Sequence, residues 1–521
     1  MAGNPAAARA AAILARSFLE GSRVTRARFS LRLMELRVRP GWALRAALIL
    51  PAQAAQAIPG MSKVRLCGAG GAAGWAWAAR GAPRAASRAR RRRAAFMGGR
   101  MAQKRAPSRI RFRRALAKQS CGRSGGTMEK KLHRILAEAA VEVLRAIFEE
   151  GAVADRAVAR AMGAHPKWGK RDRAMVAETV YEVVRGRRRL EVLAGSQDLW
   201  DVVGYWWASQ GYARRGGASW GVVESGEAAA REAALAEMPR AIRVSLGDEF
   251  DALGEAELGE RWEVELAALD QAAPVFLRVN PRRGKVASVK AELEALGVEV
   301  ELVEGCPLGL RVAEGKAVPS QLRESGRFEI QDAASQQVAP FVQVEPGMRV
   351  VDLCAGAGGK TLHLAALLEG KGDLLAMDRH EAKLETLRGR AARATVKVRT
   401  AAVSEASLAA MAGQADRVLV DAPCSGSGTL RRQADLKYRI TAATLAGVQA
   451  VQREVLQKGA ALVKRGGKLV YATCSVLPSE NQAQVAWFSA GQGDFILEEE
   501  RSLAPSETGW DGFYMARWRR E

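Results

Sequence analysis

Two cysteines stand where buried strands are expected to end. Val418-Leu419-Val420 runs into Asp421-Ala422-Pro423-Cys424. Fifty residues later Leu469-Val470-Tyr471-Ala472 runs into Thr473-Cys474-Ser475. A single cysteine in such a place is explained by packing, because a free thiol behaves as a small apolar residue. Two at equivalent positions, each followed by Ser, suggest more, since open α/β sheets hold ligands at the carboxyl ends of their strands. Neighbouring strands lie about 4.8 Å apart, so both sulfurs can face one small pocket. The chemistry such a pair suits is methylation of a pyrimidine at C5. That carbon is a poor nucleophile until a thiolate adds at C6. After it takes a methyl group, the C5 proton must leave and the thiol must be eliminated. One sulfur attacks and the other helps release the product as acid or base, which splits a hard step into easier ones. The attacking form is the thiolate, so nearby cations or helix N-termini should favour it. Asp421 is within reach of a base edge or a cofactor, and Pro423 fixes the turn.

A methyl donor needs a cradle, and Val350–Thr361, "VVDLCAGAGGKT", has the required parts: a strand, a glycine turn and a helix start. Glycines let backbone approach a ligand, and a helix N-terminus offers free N–H groups. A phosphate-binding G-x-x-x-x-G-K-[ST] loop fails by one residue, because Cys354 stands where its first glycine belongs. The dinucleotide fingerprint also fails by one, at Thr361. What remains is a shorter loop, Cys354-Ala355-Gly356-Ala357-Gly358-Gly359-Lys360, with Asp352 ahead of it. Asp378 closes the next strand, where doubly wound folds place the acid that grips a ribose. An adenosyl group without pyrophosphate fits, which points to S-adenosylmethionine. The plainer alternative is a tight turn with Asp378 capping a helix. Downstream, Arg431, Arg432 and Lys437 in "TLRRQADLK" are candidate phosphate ligands or, alternatively, a solvated helix face.

These groups need a frame. From about Gly347 strands alternate with helices, which predicts a mostly parallel, doubly wound sheet with covered faces, occupying residues 346–521. Residues 270–345 read as a small α/β unit, with strands at 274–280 and 298–305 around a helix at 285–297. Residues 128–269 read as all-α. Leu132, Ile135, Leu136, Ala139, Val143, Leu144, Ile147 and Phe148 recur at helical spacing, and a second helix is expected from Asp172 to a stop at Gly186.

The first 127 residues are different. Of the net charge of +24, they carry +25, from 27 Lys and Arg against Glu20 and Glu35, so the rest balances to −1. A disordered RNA-binding arm, an Arg-rich targeting peptide and an artefact of a start site upstream of Met128 all fit, and the break at a methionine favours the artefact. Trp42–Pro59 is apolar but interrupted by Arg45 and Pro51, a poor membrane span. The six cysteines lack metal-ligand spacing and there are four histidines. No metal, no disulfide framework, no membrane attachment and a reducing cytoplasm are expected.

Together these stretches resemble the RsmB/NOP/Sun-type RNA (cytosine-5) methyltransferases. "DLCAGAGGKT", "AMDRHEAKLETLRGRA", "DRVLVDAPCSGSGTLRR" and "GGKLVYATCSVLPSEN" match in order and spacing. "FLRVNP", "FEIQDAASQQVA" and "DGFYMARW" resemble the family's small subdomain, its lead-in and its closing strand. "KRDRAMVAETVYEVVRG" resembles the NusB-like RNA-binding domain of members that act on small-subunit ribosomal RNA. The resemblance implies a Rossmann-like class I methyltransferase domain, S-adenosylmethionine, and a monomer acting on 16S ribosomal RNA, with transfer RNA as the alternative. It implies that Cys474 attacks and Cys424 releases, that Asp421 assists, and that Cys354 to Lys360, Asp378, Arg379, Glu405 and Asp421 hold the cofactor. Departures are Gly356-Ala357 where the family has Ala-Pro, Ala434 for Pro, and Glu405 in place of the usual Asp after the third strand. A non-catalytic assembly factor would not need both cysteines with Asp421, Asp378 and Lys360. A DNA cytosine-5 enzyme would not need the Thr-Cys-Ser cysteine.

Overall fold

The alternation of strand and helix beyond Gly347 yields a seven-stranded sheet in a computed structural model, which describes residues 130–214, 225–314, 316 and 318–521. The basic extension, with Trp42–Pro59, Cys67 and Cys121, lies outside the described residues. Two short strands, β1 (Lys130–Leu132) and β2 (Tyr212–Arg214), pair in parallel at the edge of a helical region.

That region contains Arg134–Phe148, Ala154–Ala164, Lys170–Ala194 and Leu199–Ser209. Their apolar faces meet: Leu144, Val176, Val180, Val183, Val203 and Trp207 are fully buried. The Trp207 indole donates to Thr179 Oγ1 at 2.9 Å, so its one polar atom is paired. The expected stop at Gly186 is corrected. Gly186 leaves helical geometry (φ −116°, ψ 16°), but the chain bends there and continues to Ala194. Leu190 beyond the bend packs into the core, and Gly195 at φ 67° supplies the left-handed stop. Burial along about two more turns outweighs the weak helix preference of one glycine. The helices Asp248–Leu258 and Arg261–Leu269 follow.

The small unit is an antiparallel sheet in the order β4 (Val300–Val303), β5 (Cys306–Val312), β3 (Val275–Val279), β6 (Phe328–Ile330). The helix Val286–Ala295 covers it through Val289 and Leu293.

The large sheet runs β12 (Phe495–Leu503), β13 (Phe513–Arg520), β11 (Val463–Thr473), β10 (Ala415–Asp421), β7 (Arg349–Asp352), β8 (Asp373–Asp378), β9 (Arg399–Ala402). Strands β7 to β11 are parallel, while β13 is antiparallel to both β11 and β12. Helices line both faces, and the central strands are buried throughout at Val350, Val351, Val418, Leu419, Val420, Leu469 and Val470. This is the Rossmann-like class I methyltransferase fold. The order reverses between β7 and β10, and every chemical residue singled out above from the glycine loop, Asp378, Asp421 and the two cysteines stands just past the carboxyl end of β7, β8, β10 or β11. Among the described residues no helix is long and apolar enough to cross a membrane.

Candidate active site

Strands β10 and β11 pair with Asp421 opposite Ala472. Cys424 lies three residues beyond the first and Cys474 two beyond the second, so the register brings both thiols to one edge. Their sulfurs are 3.3 Å apart, within hydrogen-bond reach. Gly428 N donates to Cys474 O at 3.0 Å, and Ser427 Oγ lies 2.8 Å from Ser475 Oγ. Glycine is required at 428, because a Cβ there would meet the Gly512 carbonyl at 2.3 Å. The Cys424 thiol is pushed well above its ordinary value by its hydrogen bond to Cys474 and by burial, with the Cys474 and Glu480 charges adding to it.

Lys360 Nζ donates to Asp421 Oδ2 at 2.7 Å and sits 4.9 Å from the centre of the Phe513 ring. Burial works against the ammonium, but Asp421 and the Cys474 sulfur hold it above the usual lysine range. A cation is therefore fixed on the acid, near enough to the nucleophile candidate to interact with its charge.

The glycine loop is shaped for a close ligand. Gly356 (φ 56°) and Gly358 (φ 88°) take left-handed backbone. A Cβ on Gly358 would strike Leu387 at 2.7 Å, so that glycine serves packing, whereas a Cβ on Gly356 would meet nothing within 4 Å. The open face is over Gly356. Asp378 directs the loop: its carboxylate accepts Gly356 N at 2.9 Å and His380 N at 2.8 Å. Asp352 is buried beside it, with Oδ2 accepting from Thr361 Oγ1 at 2.7 Å and Oδ1 without a hydrogen-bond partner among the described residues. Burial, with Asp421 and Asp378 nearby, pushes its carboxyl up to about 7 despite the Thr361 bond. Cys354 is pushed up likewise, by burial and then by Asp352. An open loop face, an orphaned buried oxygen and a strand-end acid fit an adenosyl group with a charged amino-acid tail. Arg379 and Glu405 are exposed near the ends of β8 and β9, and the Glu405 side chain has no hydrogen bond or ion pair among the described residues.

Sequence reasoning missed the groups that hold this arrangement. Arg278 on β3 donates from Nη1 to Gly359 O at 2.6 Å and also to Gln331. Burial lowers it to about 10. Arg390 donates to Ala357 O at 2.6 Å and pairs with Glu329 at 2.7 Å. The small unit thus braces the glycine loop directly through Arg278 and, through Glu329, by way of Arg390 on the helix Glu381–Ala394. Glu480 is fully buried and contacts both cysteine loops. An acid in a loop carries no periodic signal, so only its place just after "TCSV" hinted at it.

The three candidate phosphate ligands are corrected. Arg431 donates to Asp511 at 2.9 Å; Arg432 pairs with Asp511 at 2.6 Å and Asp332 at 2.7 Å. Lys437 is 2% exposed and donates to Asp270 at 2.9 Å and to Val244 O at 3.0 Å. Burial lowers the lysine against the pull of Asp270. Lys437 ties the catalytic domain to its helical neighbour and Arg432 ties it to the small unit, while Arg431 pairs inside the catalytic domain. Removing one partner of a buried pair leaves the other uncompensated. Lys437→Met is therefore expected to destabilise the fold by about 3–5 kcal/mol, seen in denaturant unfolding, and to leave the salt dependence of RNA binding unchanged. A phosphate ligand would instead reduce that salt slope.

Comparison with known proteins agrees with this layout. Residues 339–519 match the family described as 16S rRNA methyltransferase RsmB/F, and residues 254–319 match its ferredoxin-like domain. The chain is 30% identical over 433 residues to the probable ribosomal RNA small subunit methyltransferase B of Synechocystis, covering 72% of this chain and 97% of that protein. It is 33% identical over 279 residues to ribosomal RNA small subunit methyltransferase B of Pasteurella multocida, covering 50% of this chain and 62% of that protein. Among solved structures, PH0851 is similar in fold at 22% identity and TM-score 0.60, covering 75% of this chain and all of that one.

Proposed function

Since the chain belongs to the 16S rRNA methyltransferase RsmB/F family and is an S-adenosylmethionine-dependent methyltransferase, we propose that it methylates C5 of a cytosine in 16S ribosomal RNA through a covalent adduct at C6. The observation that carries this reading is the 3.3 Å approach of the Cys424 and Cys474 sulfurs beside the Lys360–Asp421 pair. When bound, S-adenosylmethionine supplies an electrophilic methyl group. The protein's own residues do the rest. The Cys474 thiolate, stabilised by the Lys360 ammonium and by the Cys424 S–H, forms the S–C6 bond, and its charge passes into the ring. Asp421, fixed by Lys360, is placed to hydrogen-bond the base edge. Once C5 carries the new methyl, the S–C6 bond breaks and the electron pair returns to Cys474 sulfur, which takes the Cys424 proton. The C5 proton replaces it on Cys424, and Cys474 loses its proton to solvent before the next turnover. Cys354 to Lys360 and Asp378 form the cofactor cradle, with Arg379 and Glu405 at its rim. Residues 128–269 act as a NusB-like RNA-binding domain, and the enzyme works as a monomer in the cytoplasm.

The test is methyl transfer from labelled S-adenosylmethionine to unmethylated 16S and transfer RNA, with bisulfite sequencing of the products. A 5-methylcytosine in 16S RNA is the expected result. Label at another base atom would overturn the chemistry, and label in transfer RNA alone would overturn the substrate.

A further inference from the structure

One carboxylate outside the residues assigned above touches both cysteine loops. Glu480 is fully buried. Its Oε1 accepts Ser425 N at 2.8 Å and Gln452 Nε2 at 2.9 Å. Its Oε2 accepts Ser425 Oγ at 2.5 Å and Ser475 Oγ at 2.6 Å. Four donors fill the acceptor positions of a carboxylate. Ser425 follows Cys424 and Ser475 follows Cys474, so this single group grips the residue next to each sulfur. No Lys, Arg or His nitrogen lies within ion-pair distance of it among the described residues, so its negative charge is not neutralised locally. The titratable groups that feel its charge are Cys424 and Tyr471, whose hydroxyl donates to Glu480 O at 2.7 Å.

We propose that Glu480 is a positioning residue of the methyl transfer, which clamps the Cys424 and Cys474 loops at their working separation and directs its charge at Cys424. This rests on the two-cysteine reading above. The clamp is specific to a carboxylate. In Glu480→Gln one of the two oxygens becomes an NH2 group, which points a donor at the donors it faces. The charge disappears as well, and with it one of the influences that keep Cys424 protonated.

The decisive measurement is in two parts. In purified full-length protein carrying Cys474→Ala, the pH profile of Cys424 alkylation by iodoacetamide is followed by peptide mass spectrometry, with and without Glu480→Gln. The midpoint is expected to fall by about one pH unit when the charge is lost. In protein with both cysteines, Glu480→Gln is expected to lower turnover by about 100-fold, as small misplacements of reacting groups do, with KM for RNA within about 3-fold. Turnover equal to the parent, or a loss of turnover with an unmoved alkylation midpoint, overturns the proposal. If Glu480→Gln fails to fold, Ser425→Ala and Ser475→Ala each remove one tie and are expected to cost about 10-fold in turnover; parental rates in both overturn it too. The two-cysteine reading fails separately, if Cys474→Ala alone still transfers methyl groups.

Discussion

Cys474→Ala is expected to abolish methyl transfer, with a rate loss on the order of 10⁵-fold, as seen when a covalent nucleophile is removed. The size follows from the chemistry. Without addition at C6, C5 of cytosine has no carbanion character, so the remaining site can bind RNA and methyl donor but cannot join them. Alanine is smaller than cysteine and Cys474 is only part-buried, so the fold is expected to survive. Gly428 N still has the backbone oxygen of residue 474 to donate to. Binding of 16S RNA, followed by filter retention, should change little. Transfer at a parental rate would show that the attack comes from Cys424.

Cys424→Ala is expected to do the reverse at the level of the adduct. Attack and methyl transfer proceed, because Cys474, Lys360 and Asp421 remain. Release is slowed by about 10²–10⁴-fold, the range for loss of a positioned acid or base. A protein–RNA adduct should accumulate that survives denaturing electrophoresis and runs as a slow band removed by ribonuclease. The physical basis is the state of the Cys424 thiol. Cys424 is held protonated by its hydrogen bond to Cys474 and by burial, which suits a donor to a departing sulfur. A Cys424→Ala protein that turns over without a trapped species would take the release role away from it. The double variant is expected to form no adduct, since trapping needs the attack first.

The glycine loop and the Arg278 brace connect these expectations to the rest of the molecule. Arg278 comes from β3 in the small unit yet holds Gly359 O in the glycine loop. The small unit and the glycine loop therefore share a part-buried hydrogen bond, and each restricts the other.

Much of this was readable along the chain. The parallel sheet was legible because buried strands are continuous apolar runs and their helices carry a different period. The glycine turn was legible because left-handed backbone calls for glycine, and Gly356 and Gly358 take it. Both cysteines were legible because strand ends in an open α/β sheet are where ligands sit. Three things were not. Gly186 looks like a stop, since local preference says nothing of the Leu190 burial that carries the helix onward. Arg431, Arg432 and Lys437 look like phosphate ligands, since a charge in sequence does not disclose whether an acid waits opposite; Asp511, Asp332 and Asp270 are 80, 100 and 167 residues away. Glu480 looks like any loop acid. What the sequence determined is therefore the central strands of the large sheet, the glycine turn and the chemical types at their ends, because those obey short-range rules of period and backbone conformation. The folded chain alone decided which charges meet, how far apart two sulfurs lie and which carboxylate holds them there. Those quantities depend on strand order and register, and the pairing of β10 with β11 is a long-range choice that no local window contains.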